Sequence, residues 1–185
     1  MMRFSEQELQ EIINGNPIGN DWPYLSGSLK DVDSHLKTIL QELNQSVALE
    51  VEGEFDSYGS GFASYAHLFC QKPKKGSTYR RDERTWTDGI AVYLNRLAPV
   101  AVLGPETRTV FERGSSHGFL DVDLVGETPD DTWEEEKEII TTILESEGLS
   151  LLQREDLQKP LPFKGEISAR FDEKTIFDAL FYWED

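Results

Sequence analysis

A single cysteine, Cys70, in 185 residues excludes an internal disulfide and a thiolate zinc site. Its apolar setting, SYAHLFCQK, marks it as a small buried hydrophobe. The three histidines, His35, His67 and His117, are far apart in sequence and suggest no ligand cluster. No apolar run approaches the roughly 18 residues of a membrane span. The N-terminus, MMRFSEQELQEII, has no sustained apolar stretch and no small-residue cleavage site, so the expected location is the cytoplasm. Bases are scarce as well, 18 against 35 acids, for a net charge of −17. That balance repels nucleic acid and anionic membrane and favours basic partners or cations. It also serves plain solubility.

Large apolar side chains are not scarce. Hydrophobic residues make up 38% and aromatics 11%, too many for a disordered chain. The length suits one domain over 1–185, with 1–27 as an N-terminal helix and loop appendage. Ser5 with Glu8 forms a capping signature before a helix over 5–14. Residues 28–44 place Leu29, Val32, Leu36, Ile39, Leu40 and Leu43 at helical steps, and 129–147 places Trp133, Ile140, Ile143 and Leu144 likewise. His35 flanks its stripe as a packing residue. Between these helices, 46–55, 62–71, 86–95, 98–103, 107–112 and 118–125 read as strands, with a break at Gly104-Pro105. Residues 165–171 read as a last strand and the tail TIFDALFYWED as a terminal helix. Strands that follow one another without crossover helices predict α+β: an antiparallel sheet with helices packed mainly on one face.

The stretch LEVEGEFD puts Glu50, Glu52, Glu54 and Asp56 on one face of a strand. Carboxylates about 7 Å apart repel by only about 0.6 kcal/mol per pair in water, so the row is tolerable as a solvated face. It is also a surface that can meet a basic partner. Asp121 and Asp123 in FLDVDLV are a weak pair for a divalent cation or acid–base work, with Glu112 as a third acid. Against the average, KPKKGSTYRRDER at 72–84 carries +4, leaving −21 on the rest. It reads as a loop between strands in which Arg80 and Arg81 can hold phosphate, or which docks on the protein's own acidic face. Ser115, Ser116 and His117 are adjacent in a turn, which is not triad geometry. YGSGFAS lacks the third glycine of a dinucleotide fingerprint, and G-x-S-x-G does not occur. No enzyme template is met and no cofactor is implied.

Two stretches, DGIAVYLNRLAPVAVLGPETRTVF (88–111) and TIFDALFYWED (175–185), resemble segments of small bacterial proteins of the polymorphic-toxin immunity kind. They span about a fifth of the chain and carry no functional residue with them. The resemblance implies a cytoplasmic, non-enzymatic protein that binds and blocks a cognate toxin. The acid-rich surface fits a basic partner, with Glu50, Glu52, Glu54, Asp56, Glu134, Glu135, Glu136 and Glu138 as the contact acids and Tyr58, Trp86 or Trp183 as aromatic anchors. The alternatives are a metal-assisted enzyme built on Asp121 and Asp123, and a stand-alone domain whose acidity serves solubility.

Overall fold

The computed structural model describes residues 4–55, 61–81, 83–116, 118–163 and 174–184. Helix α1 (Glu6–Ile13) begins at the expected capping box: Ser5 Oγ accepts from the Glu8 amide, and Glu8 Oε2 accepts from the Ser5 amide at 2.7 Å. Helix α2 (Leu29–Gln45) is capped by Ser28 and buries Val32, Leu36, Ile39 and Leu43 completely. The strands are β1 (Glu50–Glu54), β2 (Phe62–Ala63), β3 (Tyr65–Gln71), β4 (Thr78–Arg81), β5 (Arg84–Asn95), β6 (Val100–Phe111) and β7 (Gly114–Ser116). Helix α3 (Glu134–Ser146), strand β8 (Ser150–Leu151), helices α4 (Arg154–Leu157) and α5 (Ile176–Leu180), and strand β9 (Trp183–Glu184) complete the described chain.

The main sheet has the order β1-β3-β5-β6-β7, with β4 also pairing β5 and β8 also pairing β6. It curls into a half-barrel. Every pairing is antiparallel except β6 with β8. Alternation along the strands divides the core in two. Ile90, Val92 and Leu94 of β5 join Ala66, Leu68 and Cys70 of β3 beneath the long helices α2 and α3. Ala91 and Tyr93 face the other way, toward α1, α4, α5 and the segment around Leu120. The longer helices thus share one face, and short elements cover the other. The N-terminal segment is held into this second layer: Leu9 and Ile12 are fully buried, and the Tyr182 hydroxyl donates to the Ile12 carbonyl at 2.8 Å.

Several elements differ from the sequence expectation. Strand β6 runs unbroken through Gly104-Pro105. On that side β8 ends at Ala101 and β7 starts opposite Thr109, so Pro105 falls in an edge window where a missing N–H is tolerated. Residues 118–125 are not a strand: Asp121 caps a 3-10 turn over Val122–Leu124 by accepting from the Asp123 amide. A short acidic side chain that bonds its own backbone competes with the ladder. The segment instead crosses the sheet, with Leu120 lying where a side chain on Gly104 would be. The run 62–71 divides at Ser64, whose Oγ accepts from the Tyr182 amide and donates to the Leu180 carbonyl. The start expected at 129 is instead a 3-10 turn over Asp131–Trp133, capped by Asp130, that precedes α3. The tail is a five-residue helix with a Thr175/Asp178 capping box, followed by β9 on β2. Of the 72–84 stretch, Thr78–Arg81 is strand β4 and not loop. The expected strand at 165–171 lies outside the described residues.

Candidate functional site

Strand β1 is an edge strand. Val51 is buried beneath α2, so Glu50, Glu52 and Glu54 leave by the opposite face. The row exists, but it is largely engaged within the molecule. Arg108 Nη1 donates to Glu52 Oε2 at 2.8 Å, and the Lys74 amide donates to Glu50 Oε1 at 3.1 Å. Glu54 is half-buried. Asp56 and Tyr58 lie outside the described residues.

The Glu52–Arg108 pair is one end of a buried charge chain that the sequence reading missed. Glu106 and Arg108 share the strand face of Val100 and Val102, which points into the core. His67 Nε2 and Glu106 Oε2 are 2.7 Å apart; a carboxylate only accepts, so Nε2 carries the proton. Arg108 Nε donates to the other Glu106 oxygen at 3.0 Å. The His67 and Glu106 side chains are 1% and 4% exposed. Burial alone raises the Glu106 carboxyl; the hydrogen bonds and charges of His67 and Arg108 outweigh it, leaving the pKa below the ordinary range. The Arg108 guanidinium sits 4.0 Å over the Phe69 ring. That ring fills the space above Gly89, where a Cβ would lie 2.6 Å from the ring and from the Cys70 carbonyl. Tyr93 meets His67 edge-on at 5.0 Å and stacks on Tyr65 at 4.4 Å. Burial pushes both phenols above their usual range. The chain His67–Glu106–Arg108–Glu52 therefore ties β3, β6 and β1 together across β5. It reaches solvent only through Glu52 and the edge of Arg108, so it acts as a polar clamp within the sheet.

Helix α3 carries a different kind of acid. Glu134, Glu135, Glu138 and Glu145 are exposed, and no ion pair among the described residues uses them. The three positions 134, 138 and 145 follow one side of the helix for about 16 Å at 1.5 Å per residue. Lys137, the sole base of α3, turns away to donate to the Gly126 carbonyl at 2.8 Å. Glu136 leaves the row: it is buried and pairs with Lys72 at 3.6 Å. Because α3 packs on the face opposite the β1 carboxylates, the two acidic groups expected to act together are on different sides of the sheet.

The other candidates are engaged locally. Asp121 closes its own turn, and Asp123 Oδ1 accepts from Gln158. Among the described residues no group of three or more His, Cys, Asp and Glu side chains gathers as a metal site would need. Ser115 and Ser116 are exposed on β7, and His117 lies outside the described residues. His35 packs against the end of α3, its Nε2 3.1 Å from the Glu147 carbonyl oxygen. A shallow depression lined by Glu145, Gly148, Leu149, Ser150 and Leu151 holds one ionisable side chain.

The signal for the missed residues was present. Charges at 106 and 108 have the parity of buried valines at 100 and 102, which reads as inward charge on a strand. Dividing the strand at Gly104-Pro105 concealed that parity. Comparison of the chain with protein-family models, curated proteins and solved structures finds no match.

Proposed function

We propose that this protein is a non-enzymatic, protein-binding module of the immunity type, and that the outer face of α3 is its docking surface for a basic toxin or effector. The observation that carries the reading is the exposed row of Glu134, Glu135, Glu138 and Glu145, which no ion pair among the described residues uses, on a helix fixed to the core by Trp133, Ile140 and Leu144. The β1 glutamates are secondary, because Arg108 and the Lys74 amide already occupy Glu52 and Glu50. The two segments that resemble immunity proteins are neighbours in space: Asn95 of β5 and the Leu180 carbonyl of α5 are hydrogen-bonded. They form scaffold, which leaves partner choice to surfaces such as α3.

Exposed charge on a rim acts mainly on association rate. A basic toxin-like domain encoded beside this chain is the partner to test by stopped-flow mixing. Reversing Glu134, Glu135 and Glu138 to lysine is expected to slow association about tenfold or more at low salt. Reversing Glu50 alone is expected to change it far less. An unchanged rate for the triple α3 variant removes the docking surface.

A further inference from the structure

After Val47, the two most exposed large apolar side chains among the described residues stand on one small turn. Trp22 is 66% exposed and Leu25 67%, while Pro23 and Tyr24 between them are buried. The Leu25 amide closes the turn by donating to the Asp21 carbonyl at 2.8 Å, and Ser26 Oγ donates to the Pro23 carbonyl at 2.7 Å. The turn is rooted in the connection between β5 and β6. There the Tyr24 hydroxyl donates to the Asn95 carbonyl and the Ile18 amide to the Leu97 carbonyl, each at 2.7 Å. Trp22 itself meets the His35 ring edge-on at 5.5 Å. A turn rooted this firmly still holds a tryptophan and a leucine in water, against the hydrophobic effect. Such pre-ordered aromatic side chains lose little freedom on binding, and tryptophan is a leading hot-spot residue.

The turn is continuous with the end of α3. A Cβ on Gly19 would lie 3.7 Å from the Pro99 ring, and the Ser150 amide, just beyond α3, donates to the Pro99 carbonyl at 3.0 Å. The His35 ring that Trp22 meets has its Nε2 3.1 Å from the carbonyl oxygen of Glu147, the C-terminal cap of α3. Arg96, in the same connection, is matched by Asp33 in a two-point ion pair at 2.7 and 2.8 Å. Asp21 in the turn, Lys30 and Asp31 in the first turn of α2, and Glu145 and Glu147 at the end of α3 then make four acids against one base. We propose that Trp22 and Leu25 are the apolar anchor of the α3 docking surface, seated in an apolar pocket that basic side chains rim on the partner. This rests on the immunity-type reading above. A second copy of the chain is the poorer occupant, because it would bring two acid-rimmed patches together. The acids steer the encounter and act on the association rate; the anchor loses its water only in the complex and acts on the dissociation rate.

The test mixes the full chain with the basic toxin-like domain encoded beside it, by stopped flow for association and by a chase with excess unlabelled chain for dissociation. Trp22→Ser and Leu25→Ser change exposed side chains, so both are expected to keep the wild-type circular dichroism spectrum and to associate within about threefold of the wild-type rate. Trp22→Ser is expected to dissociate about thirtyfold faster, and Leu25→Ser about fivefold faster. Lysine reversal at Glu134, Glu135 and Glu138 is expected to give the opposite pattern, slow association with dissociation changed far less. Val47→Ser, at a 95% exposed residue beyond the other end of α2, is the control and is expected to leave both rates unchanged. The anchor is overturned if Trp22→Ser dissociates less than about fivefold faster, or if Val47→Ser dissociates as fast as Trp22→Ser. It is also overturned if the free chain pairs with itself through the turn, seen as a light-scattering mass above 21.1 kDa that Trp22→Ser abolishes. Unchanged dissociation with association still slowed by the α3 reversal removes the anchor and leaves the immunity reading standing. No complex with the wild-type chain removes both.

Discussion

Replacing Glu106 with glutamine removes one charge from the His67–Glu106–Arg108–Glu52 chain and leaves its shape almost intact. The carboxylate accepts at both oxygens, from His67 at 2.7 Å and from Arg108 at 3.0 Å. A glutamine has one acceptor oxygen, so its amide group must face one of the two donors. The His67 and Glu106 side chains are almost fully enclosed, and water cannot substitute. Arg108 is 22% exposed and still holds Glu52, which softens the loss on that side. An unmatched buried donor plus a broken buried ion pair puts the cost at about 2–4 kcal/mol. Urea unfolding, followed by tryptophan fluorescence and circular dichroism together, reads this as a midpoint lowered by about 1–2 M. The sign with pH follows from the depressed Glu106 pKa. The stabilisation is complete above the unfolded-state value of about 4.3 and is lost as pH falls through the lower folded value. The gap between wild type and Glu106→Gln should therefore be widest near neutrality and close in acid. A gap under about 1 kcal/mol at neutral pH, or an equal gap at about pH 7 and about pH 3, would refute the clamp.

Three further outcomes are expected. Gly89→Ala should destabilise by about 1–3 kcal/mol, since its Cβ would meet the Phe69 ring and the Cys70 carbonyl at 2.6 Å. Gly118→Ala, with nothing within 4 Å, should stay within about 0.5 kcal/mol; thermal melts of both check the comparison. Asn95→Ala removes the acceptor of the Leu97 and Ala98 amides and the donor to Leu180, at a cost of about 3 kcal/mol in denaturant unfolding. Cys70 is completely buried and its thiol is pushed well above the ordinary range, first by burial and then by Glu106. It should ignore a thiol reagent in the native protein and react fully once denatured; rapid native labelling would show that β3 opens.

The helices were legible because their causes are local. Ser5 with Glu8 and Ser28 with Asp31 cap within one turn, and the α2 stripe repeats at the helical period whatever lies opposite. The buried strands were legible too, since β5 and β6 are apolar on both faces where helices and loops cover both. The sequence by itself thus determined an α+β chain with an antiparallel sheet, a buried cysteine and an acid-rich exterior. Tertiary structure alone decided how the charges are used. Alternation states that Glu50, Glu52 and Glu54 share a face, but only the curl of the sheet brings Arg108 within 2.8 Å of Glu52. The FLDVDLV stretch has a strand's alternation, yet it folds as a capped turn because its leucine fills the space left by Gly104. Likewise α3 and β1 carry similar carboxylates, but packing sends them to opposite sides of the sheet. Local rules act over one turn or one strand step, whereas these outcomes depend on residues 16 to 56 positions apart meeting in space.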